Sequence, residues 1–147
     1  MGKLRLGITI SLVLASMSLV LATQQDEHGG RPLTSTLTGA AEVPGPGDAD
    51  GTGTAKVTLN HGKGQVCYEL TVSNIGTATA AHIHTGAADV AGPVVVGLEA
   101  PASGSSKGCV DLDKEKVKDI IQNPANYYVN VHNTEFPDGA VRGQLSK

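Results

Sequence analysis

The sequence predicts an all-β domain, a Greek-key-like antiparallel β-sandwich or barrel with one short helix before its last two strands. Short segments with apolar residues at alternate positions recur along the chain. Nineteen glycines and many turn residues separate them. Helical periodicity occurs in one stretch. The 147 residues suffice for one domain, and with no Trp, one Phe and three Tyr its core must consist of aliphatic side chains.

The N-terminus has the pattern of a secretory signal. Lys3 and Arg5 precede the uncharged apolar run Leu6–Leu21, which is short for a membrane span. Val20 and Ala22 are the small residues at positions −3 and −1 of a cleavage site. We therefore predict a signal peptide over residues 1–22 and a secreted or periplasmic protein. The alternative is an uncleaved N-terminal anchor.

The rest of the chain divides into a polar, flexible leader at residues 23–32 and a β-domain at residues 33–147. Without Lys3 and Arg5, nine basic residues stand against fourteen acidic ones, a formal net charge of −5. This balance argues against nucleic acid or an anionic membrane as a partner, and it permits a cation. The sequence identifies no protein partner.

Alternation predicts the strands of the first half. Leu33–Leu37 reads Leu-Thr-Ser-Thr-Leu and is predicted as the first strand, and residues 39–53 form a long Gly/Pro/Asp loop. Thr54–Asn60 and Gln65–Val72 flank a glycine-containing turn, which predicts a hairpin. Cys67 lies out of phase with the apolar face of its strand.

The second half contains strands and the helix. Pro93–Leu98 is a continuous apolar run, which predicts a strand buried on both faces or against a neighbouring segment. Cys109–Leu112 reads as a strand with its cysteine outward. Lys114–Gln122 has an amphipathic helical stripe, and Asp113 can cap it. The last two strands, joined by a Pro-Asp-Gly turn, are predicted at Tyr127–His132 and Ala140–Leu145.

The two cysteines predict one disulfide, because cysteine pairs in exported proteins are usually oxidised. Cys67 and Cys109 both lie on the outward face of their strands. We therefore expect a bridge between adjacent strands rather than one through the middle of a sandwich.

Three histidines are candidate ligands for copper or zinc. His82 and His84 fall on one face of a strand, since side chains alternate with period two. His132 shares a face with Asn130 on a later strand. Imidazole suits both metals, and these three residues form a site if the two strands are neighbours. The alternative is that they are surface histidines that hydrogen-bond to nearby loops.

Several segments of the chain resemble the CHRD domain, a module of chordin and of exported microbial proteins. They are its opening, central and C-terminal motifs: Leu37–Pro44, Ala80–Gly86, Tyr127–Asn133 and Pro137–Leu145. The resemblance spans about residues 33–145, and it implies an exported β-domain with little chemistry. An acidic residue commonly follows the Pro-x-Gly turn in the family. Here it is Ala140, which removes any ion pair that such an acid would make with Arg142.

Arg142 is also a candidate structural residue. With Glu135 or Asp138 it is predicted to form a clamp around the last hairpin.

The predicted function is that of an exported non-catalytic β-domain with a candidate copper or zinc site. The alternative is a structural or protein-interaction module without metal. The His-x-His strand is also similar to the copper-ligand strand of copper/zinc superoxide dismutases. An enzyme of that type needs a zinc subsite and a bridging histidine, and only His28 and His61 are left for them. The enzyme is therefore the least favoured hypothesis, and no catalytic residue is predicted.

Overall fold

Eight antiparallel strands form one sheet in the computed structural model, which describes residues 29–147. The predicted signal peptide and residues 23–28 of the predicted leader lie outside the described residues. Short 3-10 turns occupy Gly39–Ala41 and Pro124–Asn126. The strands and the helix are β1 (Arg31–Thr38), β2 (Thr52–Asn60), β3 (Gln65–Ser73), β4 (Ala78–Thr85), β5 (Val94–Leu98), β6 (Ser105–Asp111), α1 (Lys114–Gln122), β7 (Tyr127–Asn133) and β8 (Val141–Gln144).

The sheet curls into a nearly closed barrel, so the predicted all-β class is confirmed. Its strand order is β5-β4-β7-β8-β1-β2-β3-β6. The two edges approach each other where β5 ends. There Ser106 Oγ donates to the carbonyl oxygen of Glu99 at 2.7 Å, and the Glu99 amide donates to Tyr68 Oη at 2.8 Å. Within residues 29–147 no helix has the length and hydropathy of a membrane span.

Alternate residues of the strands fill the barrel interior. Val57, Val66, Ile83, Val129 and Val141 come from five strands, and all are fully buried. This follows from the period-two geometry of strands, in which every second side chain faces the core.

The helix α1 lies at its predicted position and packs Val117 and Ile120 into the same core. Its N-cap is Asp113, whose carboxylate accepts from the amides of Glu115 and Lys116. These bonds satisfy two of the amides that have no partner within the helix.

The disulfide joins adjacent strands as predicted. Cys67 and Cys109 are direct partners in the β3–β6 ladder, and their sulfurs are 2.08 Å apart.

Strand β5 corrects one sequence-based prediction. Its apolar run predicts burial on both faces or against a neighbouring segment. Burial on both faces is wrong, since Val94 is 52% exposed, but Val95, Val96 and Leu98 are half-buried and pack against the core. The reason is position, because β5 is the edge strand of the sheet and is hydrogen-bonded to β4 on one side. The apolar run therefore does not mark two-sided burial here.

Strand β6 begins four residues earlier than predicted. Ser105 and Ser106 pair with Thr71 and Leu70 of β3. Their pairing with a long neighbouring strand outweighs their weak strand preference.

Candidate metal centre

The three candidate histidines lie together on the outer face of the barrel. Strands β4 and β7 are neighbours, and their register pairs Ala80 with His132 and His84 with Tyr128. His82, His84 and His132 therefore share one face, opposite the buried side chains of the core. One ring nitrogen from each of the three lies within 4.8 Å of the other two.

Backbone carbonyls select the tautomers of two of these histidines. His84 Nδ1 lies 2.9 Å from the carbonyl oxygen of Gly92, and His132 Nδ1 lies 3.0 Å from that of Pro137. A carbonyl oxygen only accepts, so both Nδ1 atoms carry the proton. The Nε2 atoms of His84 and His132 therefore keep their lone pairs, and the carbonyls orient both rings as outer-shell partners orient metal-ligating histidines.

His82 forms a hydrogen bond with His132. His82 Nδ1 lies 3.1 Å from His132 Nε2, and since that Nε2 has no proton, His82 Nδ1 is the donor. A metal ion bound between these two nitrogens would take the place of this proton, and His82 would then carry its proton on Nε2.

The Nε2 atom of His84 is buried and has no hydrogen-bond partner among residues 29–147. Its ring stacks on Tyr128, with centroids 4.8 Å apart and planes inclined by 9°. A buried lone pair without a donor is unusual in proteins, and coordination of a cation is one way to satisfy it.

All three imidazoles resist protonation. Burial lowers the pKa of His82 below its usual 6.5, and the neighbouring His132 and His84 add to the effect. Burial likewise lowers the pKa of His84 and of His132, against the opposing hydrogen bonds to Gly92 and Pro137. The neutral form that ligates metals is therefore the dominant form at pH 7.

The loop between β4 and β5 covers one side of the cluster. Besides its bond to His84, Gly92 donates its amide to Tyr128 Oη at 3.1 Å. Gln144 Nε2 donates to the carbonyl oxygen of Gly86 at 2.9 Å. Side chains from three neighbouring strands thus hold the loop in place.

Arg142 is the largest fully buried side chain of the domain, with 1% of its surface exposed. Its Nη2 donates to the carbonyl oxygens of Ala87 and Val90 and to Gln144 Oε1. Its guanidinium carbon lies 3.4 Å from the centre of the Tyr128 ring. Arg142 therefore supports the loop and the aromatic ring beside His84.

This placement corrects the predicted clamp. Arg142 does not bond to Glu135 or Asp138, because its side chain extends along the sheet face towards the β4–β5 loop rather than towards the hairpin. Glu135 and Asp138 are exposed. The charge of Asp138 instead acts weakly on His132, whose pKa it tends to raise.

Sequence reasoning missed a buried carboxyl group near the cluster. Glu42 is 5% exposed, and both of its oxygens accept from Asn130 Nδ2, at 2.9 and 2.7 Å. Burial raises the pKa of Glu42 to about 7, although Asn130 and the charge of Arg142 oppose the shift. An acidic residue in an otherwise apolar stretch of the Gly/Pro loop was the available signal.

A glycine makes room for this carboxyl group. Gly139 has φ +146°, and a Cβ there would collide with the Glu42 carboxylate. The Pro-Asp-Gly turn thus has a packing role as well as a turn role, since a side chain at this position would displace Glu42.

In a comparison with protein families, the CHRD domain matches residues 33–145, which is most of the chain. The chain belongs to the CHRD domain family. Comparisons with curated proteins and with solved structures gave no significant match. CHRD membership suggests a non-catalytic extracellular module, and the disulfide is compatible with that location.

The motifs that resemble the CHRD family meet at this site. The opening motif contains Glu42, and the central one contains His82 and His84. The C-terminal motifs contain His132 and Arg142. The order β4-β7-β8 brings the central and C-terminal motifs together, and Glu42 of the opening motif accepts from Asn130 on β7.

Proposed function

We propose that this protein is an exported, non-catalytic domain that binds one copper or zinc ion through His82, His84 and His132. The observation that carries the proposal is the convergence of three ring nitrogens within 4.8 Å of one another. The hydrogen bonds from His84 Nδ1 to Gly92 and from His132 Nδ1 to Pro137 also leave the Nε2 lone pairs of both residues free.

The geometry needs little adjustment to hold an ion. Zinc–nitrogen bonds of about 2.0–2.1 Å place tetrahedral ligands about 3.3 Å apart. The His82–His132 pair is already at 3.1 Å. His84 then has to approach by a small ring movement, which also satisfies its unpartnered Nε2. Solvent or an external ligand would occupy the fourth position, since the three rings are half-buried rather than enclosed.

Imidazole ligands accept both copper and zinc, so the donor set supports either ion. The family supports a binding role without catalysis. The predicted signal peptide supports export.

Titration calorimetry with ZnCl₂ and with Cu(II) bound to glycine tests this proposal. We expect one ion per chain for the wild type and none for the double variant His82→Ala/His84→Ala. His61→Ala is the matched control, because His61 is exposed on the β2–β3 turn and should leave binding unchanged.

Equal uptake by the wild type and the double variant would refute the metal site and favour a structural or protein-interaction module. A superoxide dismutation assay on the copper-loaded protein separates a binder from an enzyme. We expect no activity above that of free copper.

A further inference from the structure

Arg142 is a buried cation whose side-chain hydrogen-bond partners within residues 29–147 are all uncharged. Its Nη2 bonds to two carbonyl oxygens and to the amide oxygen of Gln144. Its buried Nη1 has no partner among residues 29–147. Buried charges are normally paired with an opposite charge. The Arg142 guanidinium has no hydrogen-bonded anion within the described residues, so its positive charge acts on its surroundings.

The buried carboxyl group of Glu42 offsets this charge only in part. Glu42 interacts electrostatically with Arg142, but both of its oxygens bond to Asn130. Burial raises the pKa of Glu42 to about 7, so this carboxyl group is only partly ionised at pH 6.5. The other acids near the cluster, Asp89 and Asp138, are exposed, so solvent and salt screen them.

The charge of Arg142 is close enough to act on the metal site. Its guanidinium packs on the Tyr128 ring, and the same ring stacks on His84. The cation and a candidate ligand thus both contact the ring of Tyr128.

This inference rests on the proposed metal site and concerns which ion that site prefers. We propose that Arg142 is a specificity-determining residue that shifts the three-histidine site towards monovalent copper and away from Cu(II) and Zn(II). Three neutral imidazoles bring no negative charge to the ion. The repulsion from a fixed cation grows with the charge of the ion, so a divalent ion is penalised about twice as much as a monovalent one.

Two substitutions separate charge from structure. Arg142→Gln removes the charge and keeps one donor group. Arg142→Lys keeps the charge and loses the planar stacking and the forked hydrogen bonds. The dissociation constants of Cu(I) and Cu(II) are measured for each protein at pH 6.5 by competition with chromophoric chelators, the Cu(I) series without oxygen. Zn(II) is measured alongside.

The readout is the ratio of the Cu(II) to the Cu(I) dissociation constant. We expect Arg142→Gln to lower this ratio about tenfold, with Zn(II) following Cu(II), and Arg142→Lys to leave it within about twofold. A merely structural role of Arg142 would weaken all three ions together and leave the ratio unchanged, which would overturn the inference. An equal shift in both variants would overturn it too.

A second variant tests the same field if Arg142→Gln does not fold. Glu42→Gln removes the carboxylate that offsets Arg142 at pH 8, so we expect a several-fold rise in the ratio at that pH. No change would contradict the inference. If metal binding depends on the histidines but the ratio of dissociation constants does not change in these variants, the metal site is supported and the role of Arg142 is refuted. Absence of histidine-dependent binding removes both.

Discussion

The carbonyl oxygen of Gly92 accepts a hydrogen bond from His84 Nδ1 at 2.9 Å, so a loop backbone determines which nitrogen of that imidazole is free. The Pro137 carbonyl does the same for His132. Two separate loops thus hold the Nδ1 protons of two histidines and leave their Nε2 lone pairs free. The site is built by backbone groups as much as by the histidines themselves.

Metal binding should depend weakly on pH near neutrality. Protons compete with the ion for each imidazole, and the lowered pKa values of His82, His84 and His132 move that competition below pH 6.5. We expect the zinc affinity from calorimetry to change by less than about threefold between pH 8 and 7 and to fall steeply below pH 6. A tenfold loss between pH 8 and 7 would contradict these lowered values.

Replacement of Glu42 by Gln should stabilise the protein at high pH. The folded-state pKa of about 7 lies above the ordinary value of 4.5. Between about pH 4.5 and pH 7 the native state therefore binds more protons than the unfolded state. The contribution of Glu42 to stability is lost as the pH rises through 7. We expect Glu42→Gln to exceed the wild type by up to about 3 kcal/mol in unfolding free energy at pH 8.

The same comparison at pH 4.5 is the control. There the carboxyl group is largely neutral in the folded protein, and the advantage of the glutamine should vanish. Urea unfolding at both pH values measures the difference. A constant difference at the two pH values would show that packing, and not ionisation, is responsible.

Gly139→Ala should destabilise the domain. The new methyl group would strike the Glu42 carboxylate, and the backbone angle of Gly139 is unfavourable for any other residue. We expect a loss of about 1–3 kcal/mol in urea unfolding. Gly97→Ala is the matched control, because a Cβ at Gly97 meets no atom within 4 Å. An effect within about 0.5 kcal/mol is expected there.

Reduction of the disulfide should lower stability without unfolding the barrel at room temperature. Cys67 and Cys109 join strands that the β3–β6 ladder already pairs, so the bond mainly restricts the unfolded chain. We expect the double variant Cys67→Ser/Cys109→Ser to lose about 2–4 kcal/mol in urea unfolding. Addition of reductant should shift the wild type to the same midpoint and leave the variant unchanged. Different midpoints would assign part of the loss to packing of the serines.

The sequence by itself determined which residues share a face. Strict alternation places His82 with His84 and Asn130 with His132, because the side-chain period of a strand is a local property of its backbone. The same rule predicted that both cysteines turn away from the core. Asp113 and the apolar stripe after it located the helix for an equally local reason, since caps and periodicity involve neighbours in the chain.

Only the tertiary structure decided what each face meets. The adjacency of β4 and β7 and the contacts of the buried Arg142 and Glu42 join residues tens of positions apart. The carbonyl partners of His84 and His132 lie only eight and five positions away, but in loops whose conformation the strand pattern does not give. The exposed edge position of β5 was also decided by the tertiary structure, because an apolar run has the same local pattern at an edge as at the centre of a sheet. Such contacts depend on how all strands together bury their apolar faces, and no single segment encodes that order.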